Sequence, residues 1–205
     1  MAKLDGVGVL LITDGFDGST AERVAAALEV LPAYFAIVQL RAKQLSGRAL
    51  CDAGRALREV TRDRAYLVVN DRVDVARAVG ADGVHLPVSG LPIPVARRIA
   101  GPSLWIGAST HSVAEATAAT SLGADYLAFG PVWPTPSKAS FGPAVGLPAL
   151  QEAVAAVSVP VFALGGVDAS RLGELRSVGA RPACIRYCLG QPNLPAVARA
   201  AQSLR

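Results

Sequence analysis

The chain has 205 residues, of which 52% are hydrophobic, 18% charged and 5% aromatic. That length suits one domain over residues 1–205, and that apolar content excludes a disordered chain. Lys and Arg number 20 and Asp and Glu 16, a net charge of +4 with no basic run; this suits small anionic ligands better than nucleic acid, and no nucleic-acid partner is expected. The longest apolar runs fall far short of the roughly 20 residues of a membrane span. No basic-then-apolar segment opens the chain, so export is not expected. Cys51, Cys184 and Cys188 form no CxxC pair, so reduced, idle thiols in a cytoplasmic protein are expected.

Eight short apolar runs recur in chain order, at 8–13, 36–41, 66–70, 83–86, 105–109, 126–129, 161–164 and 183–187. They lack strict alternation, as strands buried on both faces should. Helical patterns lie between them. Ser19-Thr20-Ala21-Glu22 reads as a capping box after the first run. After the second, Leu50, Ala53, Leu57 and Val60 share one face, with Arg48, Asp52, Arg55 and Arg58 opposite. Asn70 is a good cap for a helix after the third run, and Asp74 suits its first turn. Pro92 and Pro94 open a fourth helix. Ser112-Val113-Ala114-Glu115 is a second capping box, and a last helix is expected over 195–203. Gly80-Ala81-Asp82, Gly123-Ala124-Asp125 and Gly179-Ala180-Arg181 echo one another, each Gly placed to end a helix in the left-handed conformation. Eight strand-then-helix units predict an α/β fold, the compact closed parallel (β/α)8 TIM barrel. A doubly wound open sheet is the alternative, but residues 13–18 make a poor phosphate turn.

In such a barrel the chemistry lies at the C-terminal ends of the strands. Gln39, Arg41 and Lys43 alternate at the end of the second strand and so share a face. Arg and Lys both suit phosphate oxygens, and Lys138 adds a cation from another rim loop. Asn70-Asp71 ends the third strand, where an Asp could hold Mg²⁺ beside an Asn that binds a polar ring, or Asn70 could simply cap the next helix. The longest connection, 130–146, carries Pro131, Pro134, Pro136 and Pro143. Its length and its Thr135, Ser137 and Lys138 suggest a substrate lid. Gly165-Gly166 after the seventh strand can let backbone N–H groups approach an anion, or can be a plain turn. His85 reads either as a ligand group or as a hydrogen-bonded core residue, and His111 either as functional or as a local partner of the capping Ser112. Their separation, with no third ligand at metal spacing, does not match the usual ligand pattern of a zinc site.

Taken together, Gln39-Leu40-Arg41-x-Lys43, Asn70-Asp71-Arg72-Val73-Asp74 and Gly80-Ala81-Asp82-Gly83-Val84-His85-Leu86 resemble thiamine phosphate synthase. Ile106-Gly107-x-Ser109-Thr110-His111-Ser112, Phe129-Gly130-Pro131-Val132, Thr135-Pro136-Ser137-Lys138 and Ala163-Leu164-Gly165-Gly166-Val167 extend the resemblance over nearly the whole chain. The superfamily also includes a thiazole tautomerase. The resemblance implies a transferase of thiamine biosynthesis. It would join hydroxymethylpyrimidine diphosphate to thiazole phosphate and release pyrophosphate by a dissociative route. It implies that Arg41, Lys43, Ser109 and Lys138 grip the diphosphate, that Gln39 and Asn70 orient the pyrimidine, and that Asp71 holds Mg²⁺. It also implies that Thr135, Ser137 and the Gly166 N–H lie against the thiazole phosphate, with Gly165 beside them.

The chain departs from the family pattern in two places. After His85-Leu86 it reads Pro87-Val88-Ser89-Gly90, with Gly90 where a second metal-binding Asp belongs. Leu-Pro at this place looks more like the tautomerase branch. After the eighth strand, Tyr187 stands where a phosphate-binding Ser belongs, and Arg186 is the compensating donor. Two other readings therefore stand: a tautomerase with His111 as acid and base, and a non-catalytic binder of thiamine precursors. The expected partners are small phosphorylated heterocycles; a homo-oligomer stays open.

Overall fold

Each apolar run is a strand, and all the strands run parallel. The structure, a computed structural model, describes residues 4–135 and 143–184. The order is β1 (Val9–Ile12), α1 (Thr20–Glu29), β2 (Ala36–Leu40), α2 (Gly47–Thr61), β3 (Tyr66–Asn70), α3 (Val73–Ala78), β4 (Gly83–Leu86) and α4 (Ile93–Ala100). It continues with β5 (Trp105–Thr110), α5 (Val113–Ser121), β6 (Tyr126–Phe129), α6 (Gly146–Ala156), β7 (Val161–Ala163), α7 (Leu172–Ser177) and β8 (Arg181–Cys184). The strands close in sequence order, with β8 pairing back onto β1 through Leu10↔Ala183. The expected barrel is therefore the observed one.

Two apolar shells explain why the strands read as continuous runs. Leu10, Ile37, Val68, Tyr126, Phe162 and Ala183 fill the barrel interior. Leu11, Val38, Leu40, Val69, Val84 and Leu127 face outward under the helices, packed with Val24, Leu57 and Leu150. A strand whose two faces are both buried has no polar side to break its pattern.

The eighth strand begins at Arg181, two residues before the predicted run. Its guanidinium donates to the Leu4 carbonyl at 2.6 Å and lies over the Phe162 ring at 5.8 Å. A charge satisfied inside the barrel end hid the strand's start from a search for apolar residues. The expected helix over 195–203 lies outside the described residues, as does Cys188.

The Gly-Ala-Asp echo has a physical cause. Asp82 precedes β4, and its Oδ2 accepts from the Leu67 amide near the start of β3 and from Arg58 of α2, both at 2.8 Å. Asp125 precedes β6 and repeats the unit, accepting from the Ile106 amide at 2.7 Å and from Arg97 of α4 at 2.6 Å. Each carboxylate thus ties a helix to the start of the strand that follows it. Gly80, Gly123 and Gly179 take φ of 64°, 95° and 73°, the left-handed turn into the next strand.

Two caps differ from expectation. Ser19 makes no side-chain cap; the Asp17 carboxylate instead accepts from the Ser19 amide and the Ser19 and Thr20 hydroxyls. A charged acceptor two residues upstream outcompetes the neutral hydroxyl. These bonds, the Ser19 amide first, hold the Asp17 carboxyl below its ordinary range. Asn70 does not cap α3, which begins three residues later behind Arg72; its side chain turns to Gln39 instead. Ser112 does cap α5, accepting from the Glu115 amide at 3.2 Å.

Candidate active site

Strand alternation brings one polar belt to the C-terminal mouth of the barrel. Asn70 of β3 lies in register with His85 of β4, and Ser109 of β5 with Ala128 of β6. Gln39 Nε2 donates to Asn70 Oδ1 at 3.2 Å. His85 Nε2 lies 2.9 Å from Ser109 Oγ, and its Nδ1 lies 3.1 Å from the Tyr126 hydroxyl. Four consecutive strands thus contribute Gln39, Asn70, His85 and Ser109 to one band. Gln39 is 2% exposed and its Oε1 has no hydrogen-bond partner among the described residues. A buried amide oxygen left without a donor marks a place where a ligand N–H can bind.

His85 is the hydrogen-bonded interior residue that one reading of the sequence anticipated. Burial pushes its pKa down to about 4, so it is neutral at ordinary pH. Burial, and then the charge of Asp125, raise the Tyr126 phenol above its usual value, so it keeps its proton.

Beside this belt Lys43, Asn70, Asp71, Pro87 and Ser89 line a cavity of about 260 Å³. A neighbouring cavity of about 500 Å³ shares Asp71 and Ser89 and adds Gly90 and Leu91. Lys43, Asn70 and Asp71, from two strand ends, therefore meet around one opening. Asp71 adopts φ 67° and donates its amide to the His85 carbonyl at 2.8 Å. This left-handed conformation is tolerated by Asp better than by most residues. A Cβ built on Gly90 would lie 2.7 Å from Asp71 Oδ1. The glycine therefore stands against the carboxylate, and the Asp71 side chain occupies the space that a residue there would need.

Arg41 lies to one side. Its guanidinium is 3.9 Å from Asp14 of the β1–α1 loop, and its backbone is bonded both ways to the Thr13 hydroxyl. His111 makes the local contact: Glu115 Oε2 accepts its amide at 2.8 Å and lies 3.3 Å from its Nδ1. Gly165 and Gly166 both take left-handed φ, 92° and 68°. Gly166 gives its carbonyl to Arg171, whose guanidinium stacks over Trp133 at 4.8 Å. The 130–146 connection is tied down at both ends, Val132 N to Leu164 O and Val145 N to Pro131 O, each 2.8 Å. Thr135 is half-buried at its described edge. Ser137, Lys138, Arg186 and Tyr187 lie outside the described residues.

The sequence reading missed Tyr126, Gly107 and Thr13. Tyr126 opens β6 and Gly107 lies within β5; neither received a role of its own. The signal available was their spacing in the Gly107-x-Ser109 and Asp125-Tyr126 pairs on adjacent strands.

Known proteins share this architecture and much of this sequence. The family profile described as thiamine monophosphate synthase matches residues 9–188. The thiamine-phosphate synthase of Methanoculleus marisnigri is 48% identical over 165 residues, covering 80% of this chain and 78% of its own. That of Methanoregula boonei is 42% identical over 191 residues, covering 92% and 88%. The solved thiamine phosphate pyrophosphorylase from Pyrococcus furiosus superposes with a TM-score of 0.86 at 35% identity, covering 100% of this chain and 97% of its own. With the family profile, the curated relatives and the fold in agreement, this chain belongs to the thiamine monophosphate synthase family.

Proposed function

We propose that the protein is a thiamine-phosphate synthase, a transferase that couples hydroxymethylpyrimidine diphosphate to thiazole phosphate. The observation that carries the reading is the meeting of Lys43, Asn70 and Asp71 around one cavity, with Asn70 hydrogen-bonded to Gln39 in the polar belt of the barrel mouth. The amides suit a pyrimidine that carries ring nitrogens and an amino group. Gln39 Oε1 is a buried acceptor with no donor among the described residues, and the Asn70 amide supplies the complementary N–H. Lys43 and Ser109 supply a cation and a hydroxyl for the diphosphate. Arg41, Lys138 and the 130–146 lid with Thr135 and Ser137 extend this grip, and Gly165, Gly166 and Arg186 receive the thiazole phosphate.

The step needs charge stabilisation more than acid–base work. The methylene C–O bond breaks and its electron pair leaves on the diphosphate oxygen. The thiazole nitrogen lone pair then forms the new C–N bond. Cations and hydroxyls placed where the leaving charge grows are the main contribution such a site can make. His85, neutral and buried, takes no proton from this sequence of events.

Asp71 fits Mg²⁺ as a single carboxylate. Mg²⁺ is commonly held by one or two carboxylates together with substrate phosphate oxygens and water. Among the described residues no group of three or more His, Cys, Asp or Glu could cage a metal. Asp71 would hold the ion, and with no side chain at Gly90 the remaining positions fall to the substrate and water. When bound, the ion would neutralise charge on the diphosphate.

One observation favours the second reading, a thiazole tautomerase: Gly90 supplies no acid, while His111 stands at the end of β5 against Glu115. A single assay separates the two. With both substrates and Mg²⁺, the synthase releases pyrophosphate and thiamine phosphate in equal amounts, and Lys43→Ala lowers kcat by about 10²–10³-fold. Absence of product from folded protein, with metal-independent proton exchange on carboxythiazole phosphate that His111→Ala abolishes, would establish the tautomerase instead. The whole chain as one cytoplasmic domain completes the proposal; among the described residues no helix is long and apolar enough to cross a membrane.

A further inference from the structure

We infer that Tyr126 and His85 are positioning residues that fix the Ser109 hydroxyl as a hydrogen-bond donor facing the barrel mouth. The role of Ser109 toward a phosphorylated ligand rests on the function proposed above; the orientation of its proton does not.

The argument begins with Tyr126. Its side chain is fully buried, and its hydroxyl has one hydrogen-bond partner among the described residues, His85 Nδ1 at 3.1 Å. The His85 ring is buried and its two nitrogens face the neutral hydroxyls of Tyr126 and Ser109, a setting in which it carries a single N–H. Two polarities are open. If Nδ1 carried the proton it would donate to the tyrosine oxygen, and the tyrosine O–H would be left without an acceptor among the described residues. Nε2 would then accept the Ser109 proton, and Ser109 would show the barrel mouth only lone pairs. In the other polarity Tyr126 donates to Nδ1, and Nε2–H donates to Ser109 Oγ across 2.9 Å. Every buried donor is then used, and the serine proton is turned away from His85. A buried donor without an acceptor is disfavoured, so the second polarity prevails. It is also the polarity that an anionic ligand requires, because phosphate oxygens only accept.

The backbone is built to allow this contact. Gly107 of β5 lies in register with His85 on one side and with Tyr126 on the other. A Cβ on Gly107 would fall 2.1 Å from Tyr126 Cζ and 2.4 Å from its hydroxyl oxygen. Only glycine there lets a side chain from β6 pass across β5 to reach β4. Phe162 closes the far side of the Tyr126 ring edge-on at 5.7 Å.

The experiment is nitrogen NMR of the imidazoles in the full-length protein without substrate. The chain has two histidines, so a His111→Asn spectrum assigns them. The expected result is His85 protonated on Nε2 with a pyridine-like Nδ1, a tautomer released in Tyr126→Phe, which keeps the ring and loses only the hydroxyl. Protonation on Nδ1 in the unaltered protein would overturn the inference. A kinetic cycle gives a second reading. Tyr126→Phe should lower kcat/KM for the pyrimidine diphosphate by about 10–100-fold, the usual effect of removing a partner that orients a ligand-binding group. In a Ser109→Ala background it should lower it no further. Full, additive losses in both backgrounds would mean a structural effect of Tyr126 and would also overturn it. Failure of turnover altogether would count against the synthase reading and leave the tautomer result to decide this one.

Discussion

A neutral imidazole inside the barrel couples folding to pH. His85 is 3% exposed, and burial takes its pKa from 6.5 down to about 4. Between those values the unfolded chain takes up a proton that the folded chain refuses. The stabilisation is therefore complete above about pH 6.5 and is lost progressively as the pH falls toward 4, by up to about 3 kcal/mol. Urea unfolding at pH 7 and pH 4.5 checks this against His85→Gln, whose stability should change less over the same window. Equal pH slopes for the two proteins would contradict it. At this scale the sequence was informative where a residue's role follows from its place at a strand end, as for Gln39, Lys43, Asn70 and Asp71. It was silent on contacts made across a neighbour. The absence of an acid at Gly90 could be read directly, but not that Asp71 fills the space above it.

Among the elements, the repeated Gly-Ala-Asp units join helix to strand at the bottom of the barrel, away from the chemistry. Asp82 and Asp125 each accept one strand amide and one arginine, and each is about a third exposed. Exposure weakens the ion pairs. The bonds to the Leu67 and Ile106 amides matter more, since losing either leaves a buried N–H unpaired. Asp82→Ala or Asp125→Ala should each lower stability by about 1–3 kcal/mol with kcat/KM unchanged, measured by chemical unfolding and steady-state rates. The echo was visible in the letters, yet its cause lay in arginines of the preceding helices, more than twenty residues away. Capping was legible only in part: Ser112 behaves as its spacing implies, while Asp17 displaces Ser19 because a carboxylate is the stronger acceptor.

For the whole molecule, eight apolar runs in 205 residues left little room for anything but a closed barrel. Closure in turn decides where function can be. Strand ends far apart in the chain become neighbours in a ring, which is why Gln39, Asn70, His85 and Ser109 form one belt. The reach of Tyr126 across Gly107 was not legible, because it depends on register between β4, β5 and β6 and not on any local pattern. The central claim is that this mouth receives a pyrimidine diphosphate. Its most direct test is a crystal structure of the full chain soaked with that compound and Mg²⁺. The account predicts the ring on Gln39 and Asn70, phosphate oxygens on Lys43 and Ser109, and one metal ion on Asp71 beside Gly90. A ligand bound away from this belt, with Asp71 carrying no metal, would contradict it.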